Sequence, residues 1–149
     1  NQTPFVRKHL WDNEAMPAAF FEDMLRQNEA LFRTERWGLW KAMDLASDET
    51  VGYAGFWPFQ ENTQPELVYA MHPGFAGKGH ACSASQAVLH YGFTQLPWAY
   101  IQCSMNHANS ASVRLAKRLG MQSHIAEDAS LCYFRITREQ WRCLKEQTT

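Results

Sequence analysis

A strand, a glycine-rich loop and a helix start follow one another within residues 66–82, which read E-L-V-Y-A-M-H-P-G-F-A-G-K-G-H-A-C. The apolar run at 67–71 predicts a strand, and a helix-like pattern runs from 81 to 93. The first N–H groups of a helix lack intrahelical partners, and the macrodipole leaves about half a positive charge there. Glycines let a ligand approach the backbone closely. Residues 77–82 are therefore predicted to bind a phosphate-bearing ligand.

The loop matches neither of the two standard phosphate motifs. A P-loop requires Ser or Thr after its lysine, whereas Lys78 is followed by Gly79. A dinucleotide fingerprint requires a third glycine, where this chain has Cys82, and it opens the first strand–helix turn rather than one in mid-chain. An ordinary glycine-rich turn without a ligand is the alternative interpretation. The loop alone does not decide between them.

Length and composition favour one soluble domain. The 149 residues, 46% of them hydrophobic, suit a single domain over 1–149 with a sizeable core. A net charge of −1 favours neither a nucleic-acid partner nor a membrane surface. No apolar run approaches the roughly 20 residues of a membrane span, and no signal peptide is evident, so we expect a cytoplasmic protein. The chain begins with Asn rather than Met, which suggests a trimmed or partial product.

The four cysteines are widely spaced and form no C-x-x-C pair. This usage is typical of reduced thiols in the cytosol rather than of a disulfide framework. A zinc site built from His80 and Cys82 would need two more ligands, and none stands at a suitable spacing. We therefore expect no metal.

The remaining patterns predict an α/β fold. Helices are predicted at 17–33, 81–93 and 110–119, and a last short one after a capping box formed by Thr137 and Gln140. The apolar stripe of the first helix is interrupted at Asn28. Strands are predicted at 37–45, 51–57, 66–72, 100–104, 121–125 and 131–136, with a turn at 127–128 before the last one. An antiparallel meander, two strand–helix crossovers and a hairpin make a sandwich on a mixed, mostly antiparallel central sheet flanked by helices.

A second motif follows about thirty residues after the loop, where 109–121 reads N-S-A-S-V-R-L-A-K-R-L-G-M. Asn109 suits a helix N-cap, and its amide can also bind a ligand carbonyl. Ser112 lies in the first turn, and Arg114 and Lys117 face outward. A capped amphipathic helix with a solvated serine is the alternative interpretation.

Together the two segments resemble the GNAT superfamily of acetyl-CoA-dependent N-acyltransferases, and most closely its ribosomal-protein N-terminal acetyltransferase-like branch. That branch typically shows E-x-G-Y-x-[LIV]-x-P-x-x-W-G-x-G-Y-A and later N-x-x-S-x-x-[LV]-x-x-K-L-G-F. The matching residues are Glu66, Tyr69, Met71, Pro73, Gly77, Gly79, Ala81, Asn109, Ser112, Leu115, Leu119 and Gly120. The likeness covers about residues 37–137 and implies a GNAT-like fold. The family's first strand has no counterpart in this sequence, and an edge left without its strand favours association, such as a homodimer.

The resemblance implies how acetyl-CoA is bound. The backbone near Met71 would run beside the pantetheine arm, Asn109 would bind pantetheine, and Arg114 and Lys117 would reach the 3′-phosphate. Solvated helix charge is the alternative for the last two. The pyrophosphate would be held by the backbone amides of Gly77, Lys78, Gly79, His80, Ala81 and Cys82.

The resemblance also implies catalytic roles. Glu66 would act as the base, through water, and Ser112 as the acid that protonates the departing thiolate. The alternatives are a solvent-facing edge charge at Glu66 and a purely structural Ser112. Aromatic residues in or beside loops are candidates for a substrate wall: Trp11, Trp57 and Phe59.

The predicted function is acetyl-CoA-dependent N-acetyl transfer, directly to a primary amine. The acceptor would be a protein N-terminus, a small amine such as a polyamine-like or amino-acid metabolite, or an aminoglycoside. Two alternatives stay open: a non-catalytic acyl-CoA-binding or sensory domain, and an interaction module whose loop binds nothing.

Overall fold

A computed structural model of the chain describes residues 18–59, 63–75, 77–125 and 130–147. The helices are α1 (Ala18–Glu35), α2 (His80–Gln95), α3 (Ser110–Arg118) and α4 (Arg138–Gln147), with a short 3₁₀ turn at Pro73–Phe75. The strands are β1 (Leu39–Met43), β2 (Thr50–Trp57), β3 (Glu66–Met71), β4 (Tyr100–Asn106), β5 (Gln122–His124) and β6 (Leu131–Thr137). The predicted element order is confirmed. Trp11, the expected loop at 1–16, the supposed lack of a first strand and the turn at 127–128 lie outside the described residues.

The strands form two three-stranded sheets. The first has the order β1-β2-β3 and the second the order β4-β6-β5, and every ladder between the described strands is antiparallel. In the described part of the chain no ladder joins β3 to β4. The two sheets therefore separate between these strands, which the side chains of Glu66 on β3 and Ser104 on β4 join by a hydrogen bond.

The core lies between the sheets and helix α2. Its most deeply buried side chains include Phe56 of β2, Leu89 of α2, and Ile101 and Ile136 of the second sheet. Burying one such side chain contributes about 1.5–3 kcal/mol. Because one core joins both sheets to α2, the start of that helix is held at a constant place beside β3.

A side chain of helix α1 pairs with the backbone of β1 in the first sheet. The Nδ2 group of Asn28 donates to the Leu39 carbonyl at 3.1 Å, and the Leu39 N–H donates to Asn28 Oδ1 at 2.7 Å. The two bonds reproduce the pairing that a neighbouring strand residue would make. A Cβ at Gly38 would lie 2.5 Å from Asn28 Oδ1, so this close approach requires glycine.

The last helix begins with the predicted capping box. The Gln140 N–H donates to Thr137 Oγ1 at 3.1 Å, and the Thr137 N–H donates to Gln140 Oε1 at 2.9 Å. These reciprocal bonds satisfy two backbone donors that the helix leaves unpaired. No helix in the described ranges is both long and apolar enough to cross a membrane.

Candidate active site

The carboxylate of Glu66 lies at the junction of the two sheets, where β3 faces β4. Its Oε1 accepts a hydrogen bond of 2.6 Å from Ser104 Oγ on β4, and the side chain is half-buried. Burial raises the pKa of Glu66 above its usual value, while hydrogen bonds from Ser104 and Gln102 act in the opposite direction. Glu66 is therefore not a charge that faces solvent from a free strand edge, which was the alternative interpretation of this residue.

An aromatic ring lies beside this carboxylate. Trp57 is paired with Glu66 across the β2–β3 ladder, and directly paired residues project from the same face of a sheet. Trp57 is half-buried, and Phe59, two residues further on, is 47% exposed. Trp57 is thus the predicted substrate-wall residue that the structure brings to Glu66.

On the opposite face of β3, Tyr69 meets helix α3. Its hydroxyl donates to Ser112 Oγ at 2.7 Å, and burial raises the pKa of Tyr69 to about 12. The phenol therefore stays protonated at neutral pH and acts as a donor. The serine hydroxyl keeps its own proton free to donate elsewhere.

Asn109 caps helix α3, as predicted. Its Oδ1 accepts from the Ser112 N–H at 3.2 Å, and only 6% of the residue is exposed. Because the oxygen is used in the cap, the NH₂ group is the part of this amide that suits a ligand carbonyl. The cap also holds Ser112 in place opposite Tyr69.

The glycine loop presents the start of α2 to solvent. Gly77 and Gly79 have φ values of 79° and 82°, and a Cβ on either would meet nothing within 4 Å. The first intrahelical bond runs from the Ser83 N–H to the Gly79 carbonyl at 3.0 Å, and no side chain caps the helix. The N–H groups of the first turn, which are those of His80, Ala81 and Cys82, are therefore left without an intrahelical partner. This arrangement fits the predicted phosphate ligand.

An aspartate from the β1–β2 hairpin holds the first residue of α2. His80 Nε2 lies 2.8 Å from Asp44 Oδ1. The hydrogen bond with His80, followed by those from Ser47, lowers the pKa of Asp44 to about 2. Asp44 is thus an anion near the positive end of the helix dipole, which is a favourable placement.

The other predicted cofactor residues lie at the end of β3, in the glycine loop and on α3. Met71 is buried at the end of β3, and Lys78 Nζ stands 5.4 Å from the centroid of the Phe75 ring. Arg114 and Lys117 are exposed on α3. Among the described residues, no group of three or more His, Cys, Asp or Glu side chains is arranged to hold a metal ion.

Several polar residues of the site were not assigned roles from the sequence. They are Tyr69, Gln102, Ser104 and Asp44. Tyr69 belonged to the quoted motif, which is a signal that could have identified it. The partners of the other three come from strands or helices far away in the chain.

Comparison with known proteins agrees with this architecture. The family model described as acetyltransferase (GNAT) domain matches residues 2–122. The uncharacterized N-acetyltransferase p20 of Bacillus licheniformis is 35% identical over 77 residues, which are 51% of this chain and 43% of that protein. The uncharacterized protein YkkB of Bacillus subtilis (strain 168) is 33% identical over 85 residues, 56% of this chain and 49% of that protein. The chain thus spans about half the length of these curated relatives.

Solved structures share the fold at low sequence identity. The acetyltransferase from Agrobacterium tumefaciens str. C58 has a TM-score of 0.75 at 17% identity, covering 87% of this chain and 77% of that one. RimL, a ribosomal L7/L12 α-N-protein acetyltransferase solved in complex with coenzyme A, has a TM-score of 0.75 at 14% identity. That comparison covers 89% of this chain and 80% of the other.

Proposed function

Because this chain belongs to the GNAT acetyltransferase family, we propose that it transfers the acetyl group of acetyl-CoA directly to a primary amine. The observation that carries the proposal is the placement of two features at opposite ends of β3. The half-buried carboxylate of Glu66 stands at the start of the strand, and the uncapped helix turn follows its end. Six residues of strand span about 17 Å. Acetyl-CoA bound with its diphosphate at the loop and its arm along β3 would direct its thioester toward Glu66.

The loop fits the diphosphate because its donors are backbone groups. The amides of residues 77–82 would hold the diphosphate, and the left-handed glycines keep those amides on the open side of the loop. The Asn109 NH₂ group would bind a pantetheine carbonyl. Arg114 and Lys117 would reach the 3′-phosphate from the exposed side of α3.

Glu66 would accept the proton of the attacking amine, directly or through a water molecule. A free amine is mostly protonated at neutral pH, with a pKa of about 8 at an α-amino group and about 10 at lysine. Burial raises the pKa of Glu66 and so makes it a better proton acceptor. The unprotonated amine then attacks the thioester carbonyl, and a C–N bond forms.

The Ser112 hydroxyl would donate the proton that the departing thiolate needs. When the C–S bond breaks, its electron pair moves to sulfur, and a proton from Ser112 Oγ completes the thiol. The Tyr69 hydroxyl, which donates to Ser112 Oγ, would pass its proton to the serine while taking one from solvent, and Glu66 would release the proton of the amine to solvent. The products are the acetylated amine and the free coenzyme thiol.

The acceptor is proposed to be a protein N-terminus or a small amine, bound beside Trp57 and Phe59. A flat aromatic wall next to the base suits an acceptor with an apolar first group. The motif pattern supports the ribosomal-protein N-terminal acetyltransferase-like branch. The fold shared with RimL agrees with that assignment.

Calorimetry with acetyl-CoA, followed by a thiol-release assay, tests the proposal. The amine panel contains peptides with free N-termini, a polyamine and free amino acids. We expect saturable binding, turnover with at least one of these acceptor classes, and loss of turnover without loss of binding in Glu66→Gln. Absence of saturable binding would exclude the transferase. Binding with no turnover on any amine would identify an acyl-CoA-binding or sensory domain instead.

A further inference from the structure

Arg135 is linked to the candidate base through one amide side chain. It lies on β6, paired with Gln102 of β4 in the antiparallel ladder. Its Nη2 and Nε groups both donate to Gln102 Oε1, at 2.8 and 3.2 Å. The guanidinium also stacks on Tyr100, with Cζ 3.8 Å from the ring centroid. Arg135 is thus held in one orientation from two sides.

This contact determines which end of the Gln102 amide faces Glu66. An amide carries an acceptor oxygen and a donor NH₂ group, and it can bind in either of two flipped orientations. A guanidinium has only donors, so the atom that faces Arg135 must be the oxygen. The NH₂ group is then the part of Gln102 that makes the hydrogen bond with the Glu66 carboxylate, which acts to lower the pKa of Glu66.

We propose that Arg135 is a positioning residue, which keeps the Gln102 NH₂ group directed at Glu66 and so keeps that carboxylate in its proton-accepting form. The inference rests on the proposed role of Glu66 as the base. Through Arg135 and Gln102, the second sheet would help to set the pH range in which Glu66, on the first sheet, can accept a proton.

The side chains on the neighbouring strands do not explain why Glu66 would stay ionised. On β4, burial and then the negative charge of Glu66 raise the pKa of the Cys103 thiol to about 12. On β3 itself, the phenol of Tyr69 is neutral over the same range because burial raises its pKa to about 12. On β2, the residue paired with Glu66 is Trp57, which does not titrate. Among the described residues around Glu66, Ser104 and Gln102 donate the hydrogen bonds that favour the ionised carboxylate.

Removing Arg135 should therefore act on Glu66 indirectly. In Arg135→Met the amide is free to flip, and an oxygen facing the carboxyl group favours the protonated acid. In Arg135→Lys an ammonium group, which is also only a donor, can still select the oxygen. Tyr100→Leu removes the ring beneath the guanidinium but leaves the Gln102 contact in place.

The test is a pH titration of the Glu66 carboxyl group in protein labelled with ¹³C-glutamate. The titration is monitored by ¹³C NMR, and the Glu66 resonance is identified as the one that is missing in Glu66→Gln. We expect Arg135→Met to move the titration midpoint of Glu66 to higher pH. In Arg135→Lys the midpoint should stay close to that of the unsubstituted protein, and in Tyr100→Leu it should be unchanged. An unchanged midpoint in Arg135→Met would overturn the inference. So would an equal shift in Tyr100→Leu, because loss of packing alone would then be sufficient.

A double-mutant cycle covers the case in which Arg135→Met alone is too unstable to study. Gln102→Leu should move the Glu66 midpoint upward, and adding Arg135→Met in that background should add nothing. An additive effect would mean that the arginine acts by its charge and not through the amide, which contradicts the proposal.

Activity provides the second readout. The kcat/KM of Arg135→Met should fall by about tenfold on the acidic limb of its pH profile and converge with that of the unsubstituted protein at high pH. If Glu66→Gln keeps full activity, the proposed function of Glu66 fails, whereas the NMR midpoint still decides the role of Arg135. The two failures are therefore distinguishable.

Discussion

Tyr69 and Ser112, on β3 and α3, share a hydrogen bond of 2.7 Å between their hydroxyl groups. The bond links the first sheet to the helix between β4 and β5, on the side of β3 opposite to Glu66. Both hydroxyls are partly withdrawn from water, and each depends on the other for its geometry. The pair is therefore expected to act as a unit.

Ser112→Ala should lower kcat by about 10²-fold, because the departing thiolate loses its proton donor. Tyr69→Phe should have a smaller effect, and the double variant should be no worse than Ser112→Ala, as expected for residues that act together. The measurement is thiol release under saturating acetyl-CoA. Thr94→Val is the control, since its exposed hydroxyl donates to the His90 carbonyl within α2. Fully additive losses would contradict the shared role.

Ser104→Ala should move the acidic limb of the kcat/KM profile to higher pH. The pKa of Glu66 is already raised by burial, and the hydrogen bond from Ser104 opposes that shift. Its removal favours the protonated acid further, and a protonated Glu66 accepts no proton from the amine. Activity should consequently be lost at low pH and retained at high pH. A uniform loss at every pH would show that Ser104 acts in some other way.

Gly79→Ala should weaken acetyl-CoA binding by about tenfold, since a left-handed conformation costs a non-glycine residue about 1–2 kcal/mol. A Cβ at this position meets no atom within 4 Å, so the effect is one of conformation and not of a clash. Calorimetry measures it. Gly74→Ala, outside the left-handed region, is the control and should bind acetyl-CoA almost normally. Equal affinity in both variants would argue against a role for the loop's shape.

Asp44→Asn should reduce the sensitivity of the fold to acid. The pKa of Asp44 is lowered from 3.8 to about 2, first of all by its hydrogen bond with His80. A lowered value means that the stabilisation is complete above the unfolded-state pKa and is lost as the pH falls toward about 2. Urea unfolding at several pH values below 5 should show a shallower loss of the free energy of unfolding in the variant. An unchanged slope in Asp44→Asn would contradict this prediction.

Asn28→Ala should lower the free energy of unfolding by about 1–3 kcal/mol, because the N–H and carbonyl of Leu39 both lose their partner. Denaturant unfolding measures the change. Thr34→Ala, on the same helix, removes an exposed hydroxyl bonded to the Ala30 carbonyl and should change stability by less than about 0.5 kcal/mol. Equal effects of the two changes would show that the Asn28 pairing contributes little.

Local patterns were sufficient for the elements but not for the partners within the site. The apolar run at 67–71 and the glycines at 77 and 79 predict a strand and an exposed helix start, because both signals are local. The Ser104 contact with Glu66 depends on which strand lies beside β3, and 38 residues separate the two. Tyr69 shows the same limit: its motif position was visible, but its hydrogen bond with Ser112 required the packing of α3.

Asn28 shows how a tertiary contact can explain an apparent defect in a local pattern. In the sequence it only interrupts an apolar stripe, since a polar residue on a buried helix face has no local reason. In the structure it pairs with Leu39, where the helix passes close to Gly38. The reason for the residue lies in the strand that follows, eleven positions further along the chain.

The Asn28–Leu39 pairing also affects how the protein behaves at high concentration. An unpaired edge strand can pair with a strand of another molecule, and repeated pairing of this kind produces an aggregate. At Leu39 a side-chain carboxamide already occupies the two backbone groups that such a strand would use. Helix α1 thereby covers that point of β1, and we expect this to hinder edge-to-edge polymerisation there when many copies of the chain are crowded together.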